Sequence, residues 1–164
     1  MDQVQCKAAQ VLVSEGLPAD TLLRLRVVGR SMVPCLLPGD HLSVVPMDGR
    51  ELRCGDVAVV RRSDGFVTHR FICLRADGYC MKGDHQPYLD QPVAATEIVG
   101  VVRLVERDGF VYDFSTKPSA RQNRFLGWLG LMETRLRLGR LMMPVSGLIK
   151  QIAASLVKPR AIGS

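Results

Sequence analysis

Asp-Gly pairs punctuate this chain at 48–49, 64–65, 77–78 and 108–109, and Pro38-Gly39-Asp40 precedes them. Apolar, strand-like runs lie between. An Asp-Gly turn takes the positive φ that suits the right-handed twist of the strands it joins, so each pair is a hairpin signal. Strands are expected near 22–29, 41–46, 56–62, 66–75, 79–82, 97–106 and 109–113. Closely spaced hairpins restrict the chain to a mainly β (α+β) class. The expected form is a small antiparallel domain, curled or barrel-like, with helices at both ends.

At 164 residues the chain has room for one domain and its appendages. Val4, Ala8, Val11 and Leu12 fall at helical spacing, so residues 1–20 read as a short helix ended by Gly16. The β domain spans 21–114. Ser115-Thr116-Lys117-Pro118-Ser119 reads as a linker to an amphipathic helical tail, 119–157, with Pro144 breaking it and a second helix near 145–157. On that reading, a cut near residue 118 leaves any chemistry of the β domain intact.

Charge narrows the partners. The chain carries +6, and the only acid after Lys117 is Glu133. Arginines flanking Phe125, Trp128 and Leu129 suit an anionic membrane surface touched through residues 121–157. They suit equally a helix docked on the β domain or on a membrane-anchored partner protein. Glu133, Arg135, Arg137 and Arg140 interrupt any stretch long enough to cross a bilayer. The N-terminus has no basic-then-apolar signal, which predicts the cytoplasm with peripheral contact at the membrane. No nucleic acid is expected, since helix-turn-helix and zinc-finger spacings are missing. Five cysteines, an odd number without a Cys-x-x-Cys pair, fit a reducing compartment. They predict neither a metal nor a cofactor.

Ser31 follows the apolar run Val27-Val28, with Gly29 two before it and Pro34 three after it. A nucleophilic hydroxyl needs such a fixed and exposed turn. The chain has three histidines, His41, His69 and His85. His69 sits in the strand Gly65–Leu74, where alternation puts Val67, His69, Phe71 and Cys73 on one face. Taken alone it reads as a hydrogen-bonded core histidine. Asp84 and Asp90 follow the next hairpin, and either alone reads as a turn former.

Together these segments resemble the S24/S26 serine peptidases, the signal peptidase clan. Gly29-Arg30-Ser31-Met32-Val33-Pro34 with Pro38-Gly39-Asp40 is similar to the box that holds their nucleophile. Cys54-Gly55-Asp56-Val57-Ala58-Val59-Val60 is similar to their Gly-Asp-led strand, and Thr68-His69-Arg70 falls where the clan carries its general base. Lys82-Gly83-Asp84, then Asp90, then Ile98-Val99-Gly100 resembles the third box of the branch that uses histidine, which contains the archaeal and endoplasmic-reticulum signal peptidases. The likeness spans about residues 22–106.

The resemblance implies a signal peptidase/LexA-type β domain and a serine endopeptidase acting on a peptide or preprotein. Ser31 is then the nucleophile and His69 the general base. Asp90 matches the catalytic aspartate and Asp84 the supporting one, although sequence does not separate the two. Gly29 stands where many relatives have a serine that helps bind the oxyanion, so the backbone around Ser31 and Met32 has to supply that function. A lost donor costs about 3 kcal/mol of barrier. Small pockets, with walls near Met32, Val33, Val57 and Val59, are expected to select alanine, glycine or serine before the cut. Two other readings stay open: a catalytically inactive peptide-binding module, and a membrane-surface adaptor working through the tail.

Overall fold

The turns at 38–40, 64–65, 77–78 and 108–109 join paired strands as expected, whereas Asp48 caps a short helical turn at Gly49–Glu51 and the strands on either side of it do not pair, because a later strand comes between them. The structure, a computed structural model, describes residues 22–135, 147–152 and 159–161. Its strands are β1 (Leu23–Arg26), β2 (His41–Pro46), β3 (Val57–Arg62), β4 (Gly65–Arg75), β5 (Gly78–Lys82), β6 (Ile98–Arg107), β7 (Phe110–Asp113) and the two-residue β8 (Arg160–Ala161). The expected helix at 1–20, the break at Pro144 and much of the helix near 145–157 lie outside the described residues.

The domain is mainly antiparallel β with a C-terminal helix. Strands run in the order β1-β2-β6-β3-β4-β5. β6 is the hub, pairing with β2 along one edge and with β3 and then β7 along the other. Asp108 (φ 51) and Gly109 (φ 78) make the two-residue β6–β7 turn, the form that places both central residues at positive φ.

β3 explains how the sheet is buried. Its run Val57-Ala58-Val59-Val60 is apolar throughout, and all four residues are buried. Val57 and Val59 join Leu23, Met32, Leu36 and Val105 in one cluster. Ala58 and Val60 join Phe71, Met81 and Val101 in another. A strand covered on both faces loses the polar alternation of a one-sided sheet.

β4 carries a correction. Phe71 pairs with Met81 but Cys73 pairs with Cys80, so β4 has an extra residue at this point. Such a bulge turns every following side chain to the other face. Cys73 therefore does not share the face of His69 and Phe71, as strict alternation predicts.

The segment read as a linker runs directly into helix α1 (Lys117–Arg135). Thr116 starts it: its hydroxyl accepts from the Ser119 N–H at 3.4 Å, and its carbonyl accepts from the Ala120 N–H at 2.8 Å. Pro118 fits the first turn, where no helical N–H partner is needed. Ser119, Asn123, Leu126, Gly130 and Glu133 form the buried stripe, which α1 lays against β4. The approach is close: a Cβ on Gly127 would stand 2.7 Å from the Gly55 backbone. Residues 147–152 form a further helical segment. Among the described residues no helix is long and apolar enough to cross a membrane.

Candidate active site

Ser31 lies in the turn that follows β1. Val27 extends the β1–β2 pairing, donating to the Asp40 carbonyl and accepting from the Gly39 N–H, both at 2.8 Å. The chain then folds back through Val33 N–H to Arg30 carbonyl (3.2 Å) and Leu36 N–H to Met32 carbonyl (3.0 Å), and it contains a cis Val33–Pro34 bond. Met32 drives its side chain into the first cluster and anchors the turn, leaving Ser31 half-buried. Asp40 closes the loop from the other end. It accepts two bonds from the Arg107 guanidinium, at 2.8 and 2.6 Å, and one from the Leu37 N–H at 2.8 Å. That pairing raises the Arg107 pKa against the opposing effect of burial.

His69, the fifth residue of β4, faces Ala58 across the sheet and is 4% exposed. Its Nε2 lies 2.9 Å from Ser31 Oγ, and its Nδ1 lies 2.5 Å from Asp90 Oδ2. Asp90 is placed by its own N–H, which donates to the Met81 carbonyl at 2.9 Å. A serine of β1's turn, a histidine of β4 and an aspartate beyond β5 thus form one hydrogen-bonded line. With the Asp90 carboxylate on Nδ1–H, Nε2 is left as the acceptor for the serine proton. His41 and His85 are exposed and take no part in this line.

Asp84 is elsewhere. It accepts two parallel bonds from Arg70, Nε to Oδ1 at 2.8 Å and Nη2 to Oδ2 at 2.7 Å. Arg70 Nη1 also donates to the Gly55 carbonyl at 2.8 Å and to Asn123 Oδ1 on α1 at 3.0 Å. Arg70 is fully buried. Burial alone would lower its pKa, but the Asp84 carboxylate raises it instead. Arg70 faces Lys82 directly across the β4–β5 pair, so two buried cations are neighbours on this face. Lys82 Nζ donates to Glu133 Oε2 at 2.6 Å. Burial pushes the Lys82 pKa down and the nearby Lys150 ammonium adds to that, against the pull of Glu133. Sequence reasoning missed Arg70, Asn123, Lys82, Glu133 and Lys150. An arginine inside an apolar strand run was the available signal.

The other expected site residues fall as follows. Gly29 is exposed, and a Cβ there would meet nothing within 4 Å. Among the described residues the N–H groups of Ser31 and Met32 have no hydrogen-bond partner. Met32, Val57 and Val59 pack in the core. Among the described residues no cluster of three His, Cys, Asp or Glu side chains can hold a metal ion. Cys35 is pushed up to about 11, chiefly by burial, which makes it a thiol rather than a thiolate nucleophile at neutral pH.

Among the described residues β1 is an edge strand, paired only with β2. Val27 uses its N–H and carbonyl towards β2, so the main-chain groups of Arg26 and Val28 point the opposite way. Val28 is 72% exposed. The arrangement offers a hydroxyl with a base and an oriented third group, unpaired N–H donors, and a strand edge leading up to them. Compared with known proteins, the chain matches no protein-family model and no curated sequence.

Proposed function

We propose that this chain is a serine endopeptidase of signal peptidase type, which removes a leader or signal segment from a peptide or preprotein after small residues. The observation that carries the reading is the line Asp90–His69–Ser31, at 2.5 and 2.9 Å. His69 takes the proton of Ser31 as Oγ attacks the scissile carbonyl. It then gives that proton to the leaving amine, and water resolves the acyl-enzyme by the same route. Asp90 holds the imidazole in its reactive tautomer and stabilises the imidazolium. The Ser31 and Met32 N–H groups are the oxyanion donors in this reading. The substrate adds as a strand to the edge at Arg26 and Val28.

The sheet is read as a small barrel of the signal peptidase and LexA type. The support is the two-sided burial of β3 between two apolar clusters. The tail adds contact with an anionic membrane surface. Phe125 stacks on Trp128 with ring centroids 6.2 Å apart, both rings are about half exposed, and the exposed Arg121 and Arg124 stand beside them. Aromatic rings next to arginines suit the headgroup layer. A membrane-anchored partner protein offering the same chemistry is the alternative occupant, and an inactive peptide-binding module is the alternative function.

The test is mass spectrometry of protein N-termini in cells carrying the wild type or Ser31→Ala. The reading expects a small set of N-termini that follow small residues and vanish in the mutant. Identical sets of N-termini overturn it and favour the binding module or adaptor.

A further inference from the structure

A lysine of the C-terminal segment reaches the back of the nucleophile loop. Lys150 is 4% exposed, in the helical segment 147–152. Its Nζ donates to the Asp84 carbonyl at 2.8 Å and to Glu133 Oε1 at 3.0 Å. Asp84 lies in the tight loop 83–86, which closes on itself by Gln86 N–H to Gly83 carbonyl at 3.0 Å. The next residue, His85, donates its N–H to the Ser31 carbonyl at 2.8 Å. The fit is tight, since a Cβ on Gly83 would stand 2.7 Å from that carbonyl oxygen. A cavity of about 250 Å³ lies beside this tether, lined by Val33, Pro34, His85, Gln86, Lys150 and Gln151.

We propose that Lys150 is a positioning residue for Ser31. By gripping the Asp84 carbonyl it holds loop 83–86 against the Ser31 carbonyl, and so fixes the peptide unit that carries the nucleophile and its neighbouring oxyanion donor. This rests on the peptidase reading. Glu133 is the hub: Lys82 ties it to the sheet, and Lys150 ties the C-terminal segment to it. The segment therefore belongs to the site's support, although it touches no reacting atom. The ammonium suits the task, since it serves a carboxylate and a carbonyl with separate N–H bonds. The cavity leaves loop 83–86 room to shift once the bond is lost.

Lys150→Met tests this. It leaves Lys82 and Glu133 paired, so no carboxylate is stranded. Two quantities are measured on the full chain: the rate at which a fluorophosphonate labels Ser31, and deuterium uptake of the peptide covering 83–86. Labelling of the wild type at Ser31 checks the peptidase reading first, and its failure sinks that reading independently of Lys150. Given labelling, Lys150→Met is expected to slow it roughly 10- to 100-fold, the scale of a displacement near 1 Å. Uptake at 83–86 should rise while β3 and β6 stay protected. Lys150→Arg, which keeps donors for both oxygens, should restore most of the rate. A Met variant that unfolds is replaced by Lys150→Gln, which keeps a shorter donor, with the same outcomes required. Wild-type labelling by the substituted chain, or equal loss in the Arg variant, overturns the proposal.

Discussion

His69 and Arg70 are consecutive residues of β4, and their side chains leave on opposite faces of the sheet. On one face His69 meets Ser31 and Asp90 in a line that is partly open to water: the Asp90 side chain is 19% exposed. On the other, Arg70 and Lys82 lie beneath α1 with Asp84 and Glu133, and none of these side chains is more than 4% exposed. The first face lines up a carboxylate, an imidazole and a hydroxyl by hydrogen bonds. The second satisfies every buried charge and leaves nothing reactive. Among the described residues no buried side-chain nitrogen or oxygen lacks a partner. A buried ion pair stabilises little relative to an apolar pair but is costly to break. The covered face therefore makes the domain depend on α1, whereas the open face carries the chemistry proposed above.

The largest effect that separates the faces is expected from Ser31→Ala. It should abolish the acyl-enzyme and cut peptide cleavage by roughly 10⁶-fold while urea denaturation stays nearly unchanged. A residual rate near that of the wild type would break the assignment of the open face. Asp90→Asn and Asp84→Asn come next and should diverge. The first is expected to cost about 10⁴-fold in rate through the wrong imidazole tautomer, with little loss of stability. The second strands Arg70 and should cost about 3–5 kcal/mol of stability. Equal rate losses in two equally stable variants would merge the roles that the structure divides.

The separation of the two aspartates shows where the sequence stops being legible. The β3–β4, β4–β5 and β6–β7 hairpins were readable because their strands alternate or run apolar around Asp-Gly turns, whereas Asp48-Gly49 misled because β6 lies between β2 and β3. Ser31, His69 and two carboxylates were readable as ordered boxes. The partner of each carboxylate was not, because Asp84 and Asp90 lie six positions apart in one connection. Which of them meets which face depends on how that connection wraps the end of β5. The burial of Glu133 and Lys150 was hidden for another reason: single charges in an amphipathic helix read as solvated. Their partners, Lys82 and the Asp84 carbonyl, are 51 and 66 residues away. The expectation that a cut near 118 spares the chemistry changes accordingly. Such a cut removes the partners that Arg70 and Lys82 find on α1, and it is expected to unfold the domain.

Smaller effects refine the open face. Gly29→Ser meets no steric obstacle and adds a hydroxyl two residues before the nucleophile. It should speed acylation roughly tenfold if the oxyanion site lacks a donor, and an unchanged rate would mean that backbone N–H groups already suffice. Smallest is a pH effect at Cys35. Burial lifts its thiol from 9.0 to about 11, so the folded state holds a proton that the unfolded state releases. Its contribution is fully present below pH 9.0 and is lost as pH rises towards about 11. The slope is about 1 kcal/mol per pH unit. Cys35→Ala should flatten that part of the urea-denaturation profile, and an unchanged slope would count against the buried thiol.

The central claim is that Asp90, His69 and Ser31 form a working nucleophile. The most direct measurement is the intact mass of the folded chain after treatment with a fluorophosphonate, followed by peptide mapping. The account predicts a single adduct on Ser31, missing from a folded His69→Ala chain. An unmodified wild type, an adduct on another residue, or undiminished labelling without His69 would contradict it.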